Sequence, residues 1–198
     1  MKKKMSIIEG EVKESEITFR DGAYFIGNIL YKYPNSYDDI ENQCIEYAVP
    51  DGTIAICPSA FYYNKHLKSV SIPSSVRYIG MNAFGQQLNL QDITFSEGLL
   101  FIGHSVFEGD FNVDVSRICL PDSLMWLGSS AFRGCKINKG QHMRLPKSLV
   151  WIGEEVFWDG HSEIDDWTPI YEVYAGSYAF NWVSDQVNAD AYEIIQED

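Results

Sequence analysis

An alanine or valine followed by phenylalanine recurs six times, at Ala60-Phe61, Ala83-Phe84, Val106-Phe107, Ala131-Phe132, Val156-Phe157 and Ala179-Phe180, in steps of 23, 23, 25, 25 and 23 residues. Self-similarity at such a period restricts a chain to stacked repeat architectures. Two further landmarks share the register. A glycine after Ile or Leu stands four residues before the Phe (Gly80, Gly103, Gly128, Gly153), with Cys57 in the first copy. A hydrophobe stands twelve before it (Val49, Ile72, Phe95, Leu120, Leu145), followed by Pro in every copy except at Ser96. The twelve-residue half is fixed, whereas the return to the next landmark runs 11, 11, 13 and 13 residues, then 16 if Val173 ends the last strand. Packed rungs must hold register while loops absorb length cheaply.

The run before each landmark reads apolar-x-x-apolar-x-apolar: Leu67 to Ile72, Leu90 to Phe95, Val115 to Leu120. This predicts a half-buried strand in each coil, ended by a proline that has no ladder donor. The glycine is expected to supply a backbone bend that side chains resist, and the Phe to fill the interior. No unit can bury these groups alone, so stacked units must share one core.

Those motifs carry a resemblance. Ile72-Pro73-Ser74-Ser75-Val76-Arg77-Tyr78-Ile79-Gly80-Met81-Asn82-Ala83-Phe84 and Leu120-Pro121-Asp122-Ser123-Leu124-Met125-Trp126-Leu127-Gly128-Ser129-Ser130-Ala131-Phe132 resemble BspA-type leucine-rich repeats, as do Arg133-Gly134-Cys135 and the shortened unit Val173 to Phe180. The expected fold is a β-rich solenoid, a right-handed leucine-rich-repeat coil of about five 23–25-residue repeats. Residues 1–46 form an N-terminal cap or degenerate first coil, with turns at Asp21-Gly22 and Tyr33 to Ser36. Residues 47–198 form the array, ending in a truncated repeat. The resemblance implies a non-catalytic scaffold for protein or glycan recognition, often at bacterial surfaces. An accessory enzyme domain and a structural module of a larger assembly remain as alternatives.

Net charge of −13 makes nucleic acid and anionic membrane poor partners. No apolar run reaches the ~18 residues of a membrane span. The opening Met1-Lys2-Lys3-Lys4 is not followed by an apolar segment of export length, which points to the cytoplasm, or to the surface if a leader was removed. Catalytic constellations, a metal site and a cofactor are not expected: the four histidines occupy unrelated repeat positions, and the four cysteines show no paired spacing.

Two binding surfaces are candidates. The position before each Ile-Gly or Leu-Gly is Tyr78, Phe101, Trp126 and Trp151, a column that either docks a partner or stacks on itself. The outward positions of the strands, among them Ser71, Thr94, Arg117, Arg144 and Tyr174, would line the concave face. The insertion carrying His161, Glu163, Asp165, Asp166 and Trp167 reads as a solvated acidic loop.

Overall fold

The computed structural model describes residues 6–7, 10–11, 13–34, 45–137, 140–158, 169–186 and 191–196, with side chains from residue 13 onward. The insertion at 159–168 lies outside them. A short antiparallel pair, β1 (Ser6–Ile7) and β2 (Gly10–Glu11), precedes the meander β3 (Ile17–Arg20), β4 (Ala23–Ile26) and β5 (Ile29–Lys32). Asp21 and Gly22 turn β3 into β4 with φ of 49° and 77°, the positive pair that a two-residue hairpin needs.

From β5 onward the chain coils, adding one strand to each of two walls. On one wall β5 continues in parallel into β7 (Ala55–Ile56), β9 (Tyr78–Ile79), β11 (Phe101–Ile102), β12 (Trp126–Leu127) and β14 (Trp151–Ile152), which with β3 and β4 make an eight-stranded sheet. On the other, β6 (Ile45–Ala48), β8 (Leu67–Ile72) and β10 (Asp92–Phe95) form one parallel sheet. The strands β13 (His142–Arg144), β15 (Ile170–Tyr174) and β16 (Tyr192–Ile195) form another. The chain is a β-solenoid of about six turns.

Between the walls runs the phenylalanine row. Rings 61, 84, 107, 132 and 157 stack at centroid distances of 4.6, 5.4, 5.1 and 5.9 Å, each pair within 15° of parallel. Each fully buried ring is worth about 1.5–3 kcal/mol of transfer free energy. Tyr33 extends the row at one end, stacked 4.9 Å from Phe61, and its N–H donates to the Ala60 carbonyl as that of Phe61 does to Ala83. Tyr171 and Trp182 close the other end against Phe157. Phe180 leaves the row: its dipeptide begins a helix, α1 (Tyr178–Gln186), and its ring meets Tyr192 edge-on.

The glycine has a different reason from the one expected. Gly80, Gly103, Gly128 and Gly153 are not in the left-handed region. They sit where successive coils touch backbone to backbone: a Cβ on Gly80 would fall 2.5 Å from the Pro58 nitrogen, and one on Gly128 2.5 Å from the Gly103 carbonyl carbon. The left-handed residue lies two positions later, at Ser59, Asn82, Ser105, Ser130 and Glu155.

One predicted strand is absent. Residues Val115–Arg117 form a 3-10 turn, although Val115, Ile118 and Leu120 stay buried as the apolar pattern requires. Asp114 causes it: its carboxylate accepts the Ser116 N–H, and the N–H groups of Arg117 and Ile118 bond back to Asp114 and Val115. Those donors are spent locally instead of on a neighbouring strand. The strand wall is therefore split in two, and Arg117 stands on the turn between the halves.

Candidate functional site

Each turn of the eight-stranded wall is made by four residues: Thr53 to Ile56, Val76 to Ile79, Leu99 to Ile102, Leu124 to Leu127 and Leu149 to Ile152. The first and fourth are buried. The middle two point outward, and apart from Arg77 they are apolar as well. Leu100, Met125 and Val150 stand beside Phe101, Trp126 and Trp151 as a strip two residues wide; in the two preceding rungs Arg77 stands beside Tyr78, and Ile54 beside Ala55. The rungs are locked by N–H to carbonyl bonds of 2.8 Å (Arg77 to Ile54), 3.0 Å (Leu100 to Arg77), 3.0 Å (Met125 to Leu100) and 2.9 Å (Val150 to Met125).

Exposure sets this strip apart. Val150 is 56% exposed, Tyr78 50%, Ile54 48%, Met125 44% and Trp151 41%, with Leu100, Phe101 and Trp126 half-buried. Arg77 interrupts the outer column between Ile54 and Leu100, and its guanidinium donates to the Ser74 carbonyl at 2.5 Å. Apolar side chains held in register on a rigid frame differ from singly scattered surface hydrophobes, which need no explanation. The sequence pattern found the aromatic column and missed its neighbour, because residues such as Leu100, Met125 and Val150 are apolar and stand directly beside a buried leucine.

Within the column, Phe101, Trp126 and Trp151 stack at 5.6 and 5.1 Å and within 19° of parallel, while Tyr78 is tilted by 48° at 6.4 Å from Phe101. The rings therefore cover one another's faces and offer edges outward. Trp151, on the last strand of the sheet, keeps one face that no other ring covers among the described residues.

The strand-face residues separate into two groups. Ser71 and Thr94 are exposed and in register on β8 and β10. Arg144 and Tyr174 meet on the second sheet, where the guanidinium donates to the Tyr174 hydroxyl at 3.0 Å and also bonds Asp122. Arg117, displaced onto its turn, reaches Asp92 at only 3.9 Å. This face brings together a group that sequence inspection treats as unrelated: His142, Glu172 and Glu193, on three adjacent strands.

Three residues after each interior Phe, Asn64, Gln87, Asp110 and Cys135 form a buried polar column. Asn64 Oδ1 accepts the N–H groups of His66 and Leu67, starting the next strand; Gln87 Nε2 donates to the Phe61 carbonyl at 2.6 Å, and Cys135 Sγ to the Phe107 carbonyl at 3.2 Å. Burial pushes the Cys135 thiol up, and Cys57 up to about 11, so neither is a reactive thiolate. Asp110 accepts the Gln87 N–H on Oδ1, but its Oδ2 and Gln87 Oε1 are both buried without a donor. Burial raises the Asp110 carboxyl well above the ordinary carboxylate range. The folded chain thus holds a proton that the unfolded chain releases above about pH 4. This group's contribution to stability falls as pH rises from there toward the folded value. Asp110→Asn is expected to remove that slope, so that the variant gains stability over the parent at pH 7 relative to pH 3. Urea melts at both pH values check it; an equal effect at both would show a charge-independent cause.

The repeat geometry is matched by an independent comparison: the BspA type leucine rich repeat region aligns in six copies with residues 33–164. The chain belongs to this family. Its solved relatives include a leucine-rich repeat protein of T. pallidum, 26% identical with a TM-score of 0.56 over 75% of this chain and 66% of that one. A leucine-rich cell surface protein of Faecalibacterium prausnitzii is 26% identical with a TM-score of 0.59, over 84% and 39%. The pneumococcal vaccine antigen PcpA, at 21% identity and a TM-score of 0.63 over 92% and 48%, shares the fold. The chain spans less than two thirds of the length of each. A search of the curated proteins finds no match. Leucine-rich-repeat solenoids of this kind typically mediate binding and are usually non-catalytic. No helix among the described residues is long and apolar enough to cross a membrane.

Proposed function

We propose that this chain is a non-catalytic scaffold that recognises a protein through the apolar strip on its eight-stranded wall. The observation that carries the reading is the second column: exposed Met125 and Val150 beside Trp126 and Trp151 widen a ladder into a docking surface. Large rigid side chains in fixed register lose little entropy on contact, which is why such groups anchor interfaces. A protein is favoured over a glycan because sugar stacking needs free ring faces, and in the column most faces are covered by neighbouring rings. With a net charge of −13, the fitting partner presents an apolar ridge bordered by basic groups. The likeness to a leucine-rich cell surface protein supports recognition at a bacterial surface.

The test uses Met125→Ser with Val150→Ser, two outward positions whose change should move stability by no more than about 1 kcal/mol in all. Intact chain and variant serve as paired baits; each protein held by the first is identified, purified and titrated against both by calorimetry. At least a tenfold loss of affinity in the variant is expected. Equal affinities would remove the strip from recognition. Concentration-dependent dimers of the intact chain that the variant does not form would make the occupant a second copy, and the proposal of a different partner would fall.

A further inference from the structure

The C-terminal sheet gathers three metal-ligating side chains by register alone. Strand β13 pairs in parallel with β15, and β15 with β16, placing Glu172 directly opposite Glu193 and His142 two residues off along the neighbouring strand. Alternation sends Tyr171 into the core, so Glu172 and its neighbours face outward together. His142 Nδ1 lies 2.8 Å from Glu172 Oε1 and 3.8 Å from Glu193 Oε2, and one ligand atom from each of the three lies within 4.8 Å of the others.

Two directly opposed carboxylates repel, and the cation best placed to relieve them is used elsewhere. Arg144 stands opposite Glu172 in register, yet its guanidinium turns to the Tyr174 hydroxyl and to Asp122. Among the described residues the imidazole is what faces both carboxylates. The spacing suits an ion: ligands about 2.0–2.2 Å from a tetrahedral zinc stand roughly 3.4 Å apart, so the present distances need only small side-chain adjustments. All three groups are partly exposed, which leaves the fourth position to water.

We infer that His142, Glu172 and Glu193 form a binding site for a divalent transition-metal ion, zinc by preference, which clasps β16 to the C-terminal sheet. The imidazole selects zinc over magnesium and calcium, which favour all-oxygen sites. Bound zinc would screen the two carboxylates from each other.

The experiment is calorimetric titration of zinc sulfate into the full chain after chelator treatment and dialysis, at pH 7.5. One-to-one binding is expected, together with a rise in melting temperature. His142→Ala and Glu172→Gln, both partly exposed and checked for folding by circular dichroism, should each weaken binding at least tenfold and abolish the rise. Magnesium should give neither effect. Undiminished zinc affinity in both variants would place the ion at other histidines and carboxylates and overturn the assignment. So would the absence of zinc binding at millimolar concentration, which would leave an imidazole in contact with two carboxylates as the whole of the cluster.

Discussion

Replacing Phe107 by Ala is expected to cost about 3–5 kcal/mol, the range for deleting a buried aromatic whose surroundings cannot collapse. Its ring is fully buried at the middle of the row, stacked 5.4 Å from Phe84 and 5.1 Å from Phe132, with Phe95 edge-on at 6.1 Å. The lining cannot close over the void, because the backbone of each neighbouring ring is tied to the following coil: Phe84 N–H bonds to Val106 and Phe132 N–H to Val156. The substitution also removes two stacked contacts, each worth about 0.5–1.5 kcal/mol beyond area burial. Phe180→Ala is the control. That ring is half-buried on a helix and outside the row, so its removal should cost less than half as much. Urea unfolding followed by circular dichroism measures both. Equal losses would mean that the row is not what holds successive coils together.

That row was legible in the sequence because one residue type returned at one spacing, and a side chain that must fill the same interior in every coil has no freedom to vary. The strand at Val115 was not, since its apolar pattern is intact and only the carboxylate of Asp114, bonding two residues ahead, redirects the backbone. Periodicity reports which side chains are buried; it is silent on where the donors go. The strip was half legible. Trp126 stands out as an unusual residue at a repeat position, but nothing in the spacing distinguishes Met125 beside it, which the coil geometry also turns outward. The triad of His142, Glu172 and Glu193 was invisible. Its members are separated by 30 and 21 residues and lie in no short motif, and the register that joins them passes through a strand pairing that follows the long insertion.

The glycine offers the sharpest discrimination between two physical causes, because they predict opposite signs. If Gly128 served conformational freedom alone, Ala there would be tolerated or would stabilise by about 0.4–1 kcal/mol, since the residue is not in the left-handed region. If it serves close approach, the added Cβ meets the Gly103 carbonyl carbon at 2.5 Å and the His104 nitrogen at 2.6 Å. Both are backbone atoms, and no rotamer can relieve them. The strands must part, yet Gly128 N–H bonds to Ile102 at 2.9 Å and Gly153 N–H to Leu127 at 2.8 Å, so parting them breaks the ladder on which the aromatic column stands. Gly128→Ala is therefore expected to destabilise by about 3 kcal/mol or more, at the upper end for forced overpacking. Gly176→Ala, where φ is +69° and nothing lies within 4 Å of the new Cβ, should cost about 1–2 kcal/mol from backbone handedness alone. Denaturant midpoints for the two variants decide the matter: a larger loss at position 176 than at 128 would return the repeat glycine to the role of a flexible bend, and the close contact between coils would have to be given up.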